Sequence, residues 1–188
     1  MKFCSSCGSS EIEQIIPEGD NRLRHCCLHC DMVFYENPKI VTGCVAQWQD
    51  KILICKRAIE PRIGTWTLPA GFMENHETIQ EAAARETFEE ATARTSNLEL
   101  FAIYNLPHIS QVYVMFKADV IDGEASSGIE SLETEFVDEA DIPWADLSFP
   151  VITETLELYF EDRKRNSFSL HTGEITRDHE RAVQIARY

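Results

Sequence analysis

The sequence predicts an α+β chain in which a mixed sheet lies between helices, preceded by a small four-cysteine zinc ribbon. Three observations carry that expectation. Two Cys-x2-Cys pairs, Cys4/Cys7 and Cys27/Cys30, stand near the amino terminus. A stretch from about Glu77 to Arg94, free of Gly and Pro and rich in Glu, Ala and Arg, reads as a helix flanked on both sides by β-rich runs. A second stretch, Val151 to Arg165, places Ile152, Leu156, Tyr159 and Phe160 at helical spacing. Strands around a central helix, with another helix near the end, fit a layered sandwich. At 188 residues and 44% hydrophobic, the chain can hold one full domain with a buried core and a small module beside it.

Residues 1–35 form the expected ribbon. Its two cysteine knuckles are separated by 19 residues, and thiolates two apart can turn back on one tetrahedral zinc. Phe3, Ile12, Ile15, Ile16 and Leu23 are too few to fold this segment alone, so metal would supply much of its stability. Cys26 rivals Cys27, but its x3 spacing to Cys30 is less usual, and Cys4, Cys7, Cys27 and Cys30 are taken as the ligands. His25 and His29 are bystanders to a filled four-sulfur site. Such a closed site leaves no position for chemistry, so its role is structural or for protein contacts.

Met32 to Pro38 reads as a hinge. Ile40–Trp48 and Ile52–Cys55 form an expected hairpin, with Cys44 and Cys55 as small buried hydrophobes. Arg57 to Arg62 is a polar loop, and Trp66 to Gly71 is a strand end turning into a loop. Asn75 is a plausible N-cap for the helix, with Glu77 adding negative charge to its first turn. Leu98–Leu106 and Gln111–Ile121 follow as strands around Pro107-His108, then a polar loop, a strand over Leu132–Val137 and an acidic turn at Asp141–Leu147. The second helix enters through Pro150. Residues 161–188 complete it and continue as a polar tail, with a small helix from about Asp178 or no regular structure.

The net charge of −15 argues against a nucleic-acid partner bound through its phosphates. No apolar run approaches the length of a membrane helix, and Met-Lys-Phe-Cys-Ser-Ser-Cys lacks the apolar core of a signal peptide. Seven cysteines without such a signal suggest a reducing compartment, with the cytoplasm as default.

The chemistry is expected on the first helix. Glu86 and Glu90 lie four apart and share a face, with Glu89 at its edge. Like charges so placed repel. A glutamate-rich helix is ordinarily a solvated face, but a divalent cation would relieve the repulsion. Clustered carboxylates facing a loop that can lend a backbone carbonyl suit Mg2+ or Mn2+. Such a metal keeps waters and binds phosphates, so the expected chemistry is hydrolysis of a phosphoanhydride.

Gly71-Phe-Met-Glu-Asn-His-Glu77, seven further residues and Arg85-Glu-Thr-Phe-Glu-Glu90 resemble the Nudix box, matching Gly71, Glu77, Arg85, Glu86, Glu89 and Glu90. Thr92 stands where the box has a second glycine and Thr87 where it has an aliphatic residue, which leaves helix packing and the helix end in question. The resemblance implies an α/β/α sandwich over about residues 36–160 and cleavage of a nucleoside diphosphate linked to another group. Carried over residue by residue, it implies Glu86, Glu90 and Glu89 as metal ligands or water-orienting groups, with the Ala70 carbonyl completing the shell. Arg85 would hold the glutamates through ion pairs, with Glu77 its partner. A downstream glutamate, Glu133 or Glu130, would be a base or further ligand.

A zinc ribbon before such a domain is similar to the NADH pyrophosphatases, but of their Ser-Gln-Pro-Trp-Pro-Phe-Pro motif only Ser148-Phe-Pro150 is echoed. The Cys-x2-Cys ribbon with Arg57-x-Ile-Glu-Pro-Arg62, Leu68-Pro-Ala-Gly-Phe-Met-Glu74 and Asn105-Leu-Pro-His108 looks more like a bacterial zinc-ribbon Nudix group and is similar in organisation to a plant plastid enzyme cleaving FAD and ADP-ribose. The resemblance thus implies ADP-ribose or FAD, split to AMP and a phosphorylated partner, with Phe72, Tyr104 and His108 lining the base pocket. NADH, or nucleotide binding without cleavage, are the alternatives. Many such proteins dimerise, and the sequence leaves monomer and homodimer open.

Overall fold

A computed structural model describes residues 1–180 and 182–188. The chain divides into two compact units, Met1–Asn37 and Pro38–Tyr188. In the first, β1 (Ile12–Ile15), β2 (Arg24–Cys27) and β3 (Val33–Phe34) form an antiparallel sheet. Asp20 accepts from the Arg24 Nε–H at 2.9 Å, and the Arg24 guanidinium lies over the Tyr35 ring.

The second unit contains β4 (Lys39–Trp48), β5 (Lys51–Arg57), β6 (Trp66–Thr67), β7 (Ala70–Phe72), α1 (Ile79–Ala91), β8 (Thr95–Leu106), β9 (Gln111–Val120), β10 (Ser131–Val137), α2 (Pro150–Arg165), β11 (His171–Arg177) and β12 (Val183–Arg187). The main sheet runs β10-β5-β4-β9-β8-β11-β12. It is mixed, because β4 pairs with β9 and β8 with β11 in parallel while the other ladders are antiparallel.

Period-two alternation explains the sandwich. Ile52 and Ile54, Val41 and Val45, and Tyr113 and Met115 pack on the face covered by Val151, Ile152, Leu156, Tyr159 and Phe160 of α2. Their neighbours Leu53 and Cys55, Cys44 and Ala46, and Val114 and Phe116 pack on the other face, against Ala83 and Ala91 of α1. Both faces are apolar because both are covered. The contact with α1 uses small side chains, and the Cys44 thiol donates to the Ala83 carbonyl at 3.6 Å.

The hairpin β4–β5 pairs only at Gln47–Ile52 and Trp48–Lys51, and the two strands then splay. β7 pairs with β4 and β6 with β5 in the gap. This inserts the Ala70–Phe72 segment into the sheet beside the second half of α1, against Arg85, Glu86 and Glu90. The inserted turn is what positions the site.

Helix α1 is shorter than its composition suggests, and Asn75 is not its cap. Thr78 is: its hydroxyl accepts the Glu81 N–H and the Glu81 carboxylate accepts the Thr78 N–H, a capping box of about 1 kcal/mol. At the other end Thr92 adopts φ 49°, the left-handed conformation that favours glycine. Its hydroxyl bonds the Ser126 hydroxyl at 2.7 Å and accepts the Ser126 N–H at 3.1 Å, which compensates for a β-branched residue there. Thr87 is fully buried and returns its hydroxyl to the Ala83 carbonyl at 2.8 Å, so it packs where an aliphatic residue would. The two departures from the box thus have local solutions.

The largest difference lies after α2. The expectation of a small helix or loose tail over 166–188 is corrected: β11 and β12 form a hairpin that extends the main sheet beside β8. Polar composition concealed it, since β12 is exposed along its whole length and β11 buries only Gly173 and Ile175. No helix of the described residues is long and apolar enough to cross a membrane.

Candidate active site and cysteine cluster

One cleft of about 940 Å³ opens along α1 and the splayed strands. Glu86, Glu89, Glu90 and Arg85 line it from α1, Ala70, Gly71 and Phe72 from β7, and His108 from the turn after β8. Every lining residue belongs to the second unit.

Arg85 organises the carboxylates. Its Nε–H and Nη2–H donate to the two Glu77 oxygens at 3.0 and 2.8 Å. Nη1 donates to Glu86 at 2.7 Å and to Glu89 at 3.0 Å, and Nη2 also reaches the Phe72 carbonyl at 3.1 Å. The two Arg85 bonds to Glu77, together with the Glu74 N–H, pull the Glu77 carboxyl down to about 2. The carboxylates in turn raise Arg85 further above its ordinary range. One guanidinium therefore ties the loop before α1 to the middle of the helix.

Glu90 stands apart. It is 6% exposed, and burial drives its carboxyl up to about 8 despite a hydrogen bond from the Ala70 N–H at 3.3 Å, with the charge of Glu86 adding to the rise. Burial also raises Glu86, against the pull of Arg85. Carboxylates held this far from water need a cation to stay ionised.

Gly71 provides the room. A Cβ there would collide with the Glu86 carboxylate, so the bare backbone is what lets that group lie against β7. Gly71→Ala is expected to push the carboxylate aside at little cost in folding, because the obstructed group is a flexible side-chain end. Turnover should fall about 10–100-fold with an unchanged melting temperature, checked by kinetics and calorimetry.

The loop after β9 completes the site. The Ser126 and Gly128 N–H groups donate to the Ala91 and Glu90 carbonyls, and the Glu130 carbonyl accepts the Ala58 N–H at 2.8 Å. This closes the loop against the end of α1 and brings Glu130 into the cleft lining. Glu133 does not line it, and the expectation that Glu133 takes part is corrected: its carboxylate pairs with Lys56 at 2.7 Å in the β10–β5 ladder. Tyr104 is also corrected. It is fully buried, and its hydroxyl donates to Glu154 at 3.1 Å instead of facing the cleft. An aromatic in a central strand packs into the core.

Several lining residues escaped sequence reading: Arg57, whose guanidinium lies 5.3 Å over the Phe149 ring, Phe149 itself, and Ile175, Arg177 and Val183 of the last hairpin. Arg57 and Phe149 fall in segments that the resemblance singled out, but nothing local assigns them to the cleft, and nothing marks the three hairpin residues. Only the strand order brings residues 57, 149 and 177 to one cleft.

In the first unit the Cys4, Cys7, Cys27 and Cys30 sulfurs lie within 4.8 Å of one another. Cys4 to Cys30 is 3.7 Å and Cys7 to Cys27 is 3.6 Å. Four sulfurs about 2.3 Å from a tetrahedral zinc would be about 3.8 Å apart, so the donor set and its size fit that ion. Cys26, one position along β2, turns away and contacts the Arg24 carbonyl at 3.7 Å. Crowding splits the protons: burial opposes ionisation of Cys4, but the Cys7 and Ser6 N–H groups and neighbouring thiols bring it to about 6. At Cys7 the Ser9 N–H favours the thiolate, yet desolvation and the other sulfurs carry it to about 12.

A carboxylate-lined helix facing a splayed-sheet cleft, in a chain that also carries a four-cysteine ribbon, is the arrangement expected of a hydrolase, and comparison with known proteins agrees. A profile for the NUDIX domain matches residues 37–157, and one for the Nudix N-terminal zinc ribbon matches residues 2–36. The chain belongs to the Nudix family and is a Nudix hydrolase. A Nudix hydrolase crystal structure from Nitrosomonas europaea superposes with a TM-score of 0.91 at 50% identity, covering 94% of this chain and all of that one. The ADP-ribose pyrophosphatase of Methanocaldococcus jannaschii is 33% identical over 115 residues, 58% of this chain and 67% of that protein. The NAD-capped RNA hydrolase NudC of Edwardsiella ictaluri is 31% identical over 125 residues, 65% of this chain. The chain spans 46% of that relative's length.

Proposed function

We propose that this hydrolase cleaves the diphosphate of an ADP-containing molecule linked to a second group, ADP-ribose or FAD foremost, giving AMP and a phosphorylated partner. The observation that carries this reading is the cleft itself. Helix carboxylates line the same space as apolar side chains and arginines, and its volume of about 940 Å³ accommodates a dinucleotide. The similarity to an ADP-ribose pyrophosphatase supports the choice.

In this reading Glu86, Glu89, Glu90 and the Ala70 carbonyl hold Mg2+ or Mn2+, and the four cysteines hold Zn2+. A bound divalent cation supplies charge neutralisation on the diphosphate and a more acidic water. The protein's own groups do the rest. Arg85 fixes the glutamates, Glu130 accepts a proton from the attacking water, and Phe72 and His108 flank the substrate. The water oxygen bonds to one phosphorus as its bond to the bridging oxygen breaks, and the bridging oxygen leaves on the other phosphate. Glu130 replaces Glu133 in this role because Glu130 lines the cleft and Glu133 is held by Lys56.

A second reading, NADH or another NAD-linked substrate, draws on Phe149 and Pro150, which line the cleft within the Ser148-Phe-Pro150 segment, and on the likeness to NudC. The test is a panel with Mg2+ or Mn2+ containing ADP-ribose, FAD, NADH, an NAD-capped oligonucleotide, diadenosine polyphosphates and nucleoside triphosphates, followed by AMP and phosphate release. Highest kcat/KM on ADP-ribose or FAD is expected. Preference for NADH or the capped oligonucleotide would select the second reading, and tight binding without turnover would make the chain a nucleotide-binding module.

A further inference from the structure

We propose that the hairpin β11–β12 is the substrate-selective wall of the cleft, and that Arg187 is the positioning residue that holds it in place through Glu154. This rests on the hydrolase reading and extends it to the half of the substrate away from the reacting diphosphate.

Ile175, Arg177 and Val183 of the hairpin line the same cleft as the α1 glutamates. The register explains how they reach it. β11 pairs in parallel with β8 from His171–Ala102 to Glu174–Asn105, then runs on past the end of the pairing. β11 packs beside the Pro107–Ile109 turn, and its overhanging Ile175 and Arg177 line the cleft together with His108 and Ile109 of that turn. Val183 is the register partner of Arg177 on β12, which brings β12 to the cleft as well.

β12 has little apolar burial to hold it, for all five of its residues are exposed and it forms one end of the sheet. Its anchor is ionic. Arg187 Nε and Nη2 donate to the two oxygens of Glu154 at 2.6 and 3.1 Å, and the Tyr104 hydroxyl donates to the same carboxylate at 3.1 Å. Glu154 is only 3% exposed. Such a carboxylate needs its partners, so the pair fixes the strand end to α2. Gly173 permits the close fit: a Cβ there would collide with the Ala186 carbonyl and stand 3.1 Å from the Tyr104 ring. Strand alternation puts Arg187 and Val183 on one face of β12, so locking the first sets the second against the cleft. Two branched aliphatic side chains beside an arginine suit a ring joined to a phosphate-bearing sugar, the chemistry of a dinucleotide's second half.

The test compares wild type, Arg187→Met, Arg187→Lys and Val183→Trp on ADP-ribose, FAD and diadenosine diphosphate, with melting temperatures alongside. Arg187→Met should raise KM for the preferred substrate about ten-fold with kcat within about two-fold, and flatten the ranking of the three. Arg187→Lys should recover part of the selectivity, and Val183→Trp should reorder the ranking with the ion pair intact. Unchanged KM and ranking in Arg187→Met, or a common fall in kcat on all substrates, would overturn the proposal. If Arg187→Met does not fold, the Val183→Trp ranking decides alone. Absence of wild-type turnover on every diphosphate would sink the hydrolase reading instead. The wall would then be judged by calorimetric binding of ADP-ribose and AMP, where Val183→Trp should change the first affinity more than the second, and equal changes would overturn it.

Discussion

Replacing Glu90 by glutamine is expected to abolish most hydrolysis while making the metal-free protein no less stable at pH 8. Glu90 is buried against β7, and that burial lifts its carboxyl from the ordinary 4.5 to about 8. A carboxyl raised in the folded state favours folding when protonated. The stability this gives is fully present below about pH 4.5 and is lost progressively as pH rises to about 8. At about 1.4 kcal/mol per pH unit, the loss is on the order of 4 kcal/mol. The metal-free wild type should therefore melt at falling temperature from pH 5 to pH 8, and Glu90→Gln should show a flatter profile. Mg2+ or Mn2+ should restore the wild type more at pH 8 than at pH 6, and the variant hardly at all. Turnover in the variant should drop about a thousand-fold, on the order of 4 kcal/mol of transition-state stabilisation. Calorimetry across pH with and without metal checks the first part and initial rates the second. Parallel wild-type and variant pH profiles would remove Glu90 from the metal shell.

The second large effect concerns the cysteine cluster. Cys27→Ser is expected to lose the zinc proposed for this cluster and with it the structure of β1–β3. Structural zinc in small thiolate domains contributes about 10–16 kcal/mol of apparent binding energy, and the first unit exposes Phe3, Ile16, Leu23 and Tyr35, leaving little core to replace it. Metal content should fall from one zinc per chain to near zero, and amide exchange over residues 12–34 should become fast. Cys26→Ser should keep its zinc, because the Cys26 sulfur lies outside the cluster. Turnover by Cys27→Ser should stay within about two-fold of wild type, since the cleft is lined by residues of the second unit. Zinc loss in Cys26→Ser with retention in Cys27→Ser would reverse the ligand assignment.

The box was legible because its chemistry is local. Arg85, Glu86, Glu89 and Glu90 sit within two turns of one helix, so their relative placement follows from 3.6 residues per turn, and the cysteine pairs likewise declare themselves by spacing. The strands β4, β5, β8 and β9 were legible from their β-rich runs, and β10 from its alternation of apolar and acidic residues. What spacing could not reveal was which neighbouring residue does a local job. Asn75 and Thr78 are both good caps, and the choice fell to Thr78 because Glu81 could complete the box.

Glu130 and Glu133 are three residues apart in one acidic segment, and no propensity separates them. The ladder with β5 gives Glu133 to Lys56, while the loop bonded to the end of α1 sends Glu130 to the cleft. Tyr104 and the polar tail were misjudged for related reasons. A tyrosine in a central strand can be buried once α2 supplies Glu154 for its hydroxyl. An exposed, polar segment can be a strand when a sheet end is there to pair with it and Arg187 can reach the same glutamate. By itself the sequence determined the clustered carboxylates, the helix that carries them and the spacing of the four cysteines. Tertiary structure alone decided which distant residues share the cleft, because strand order and register join positions far apart in the chain.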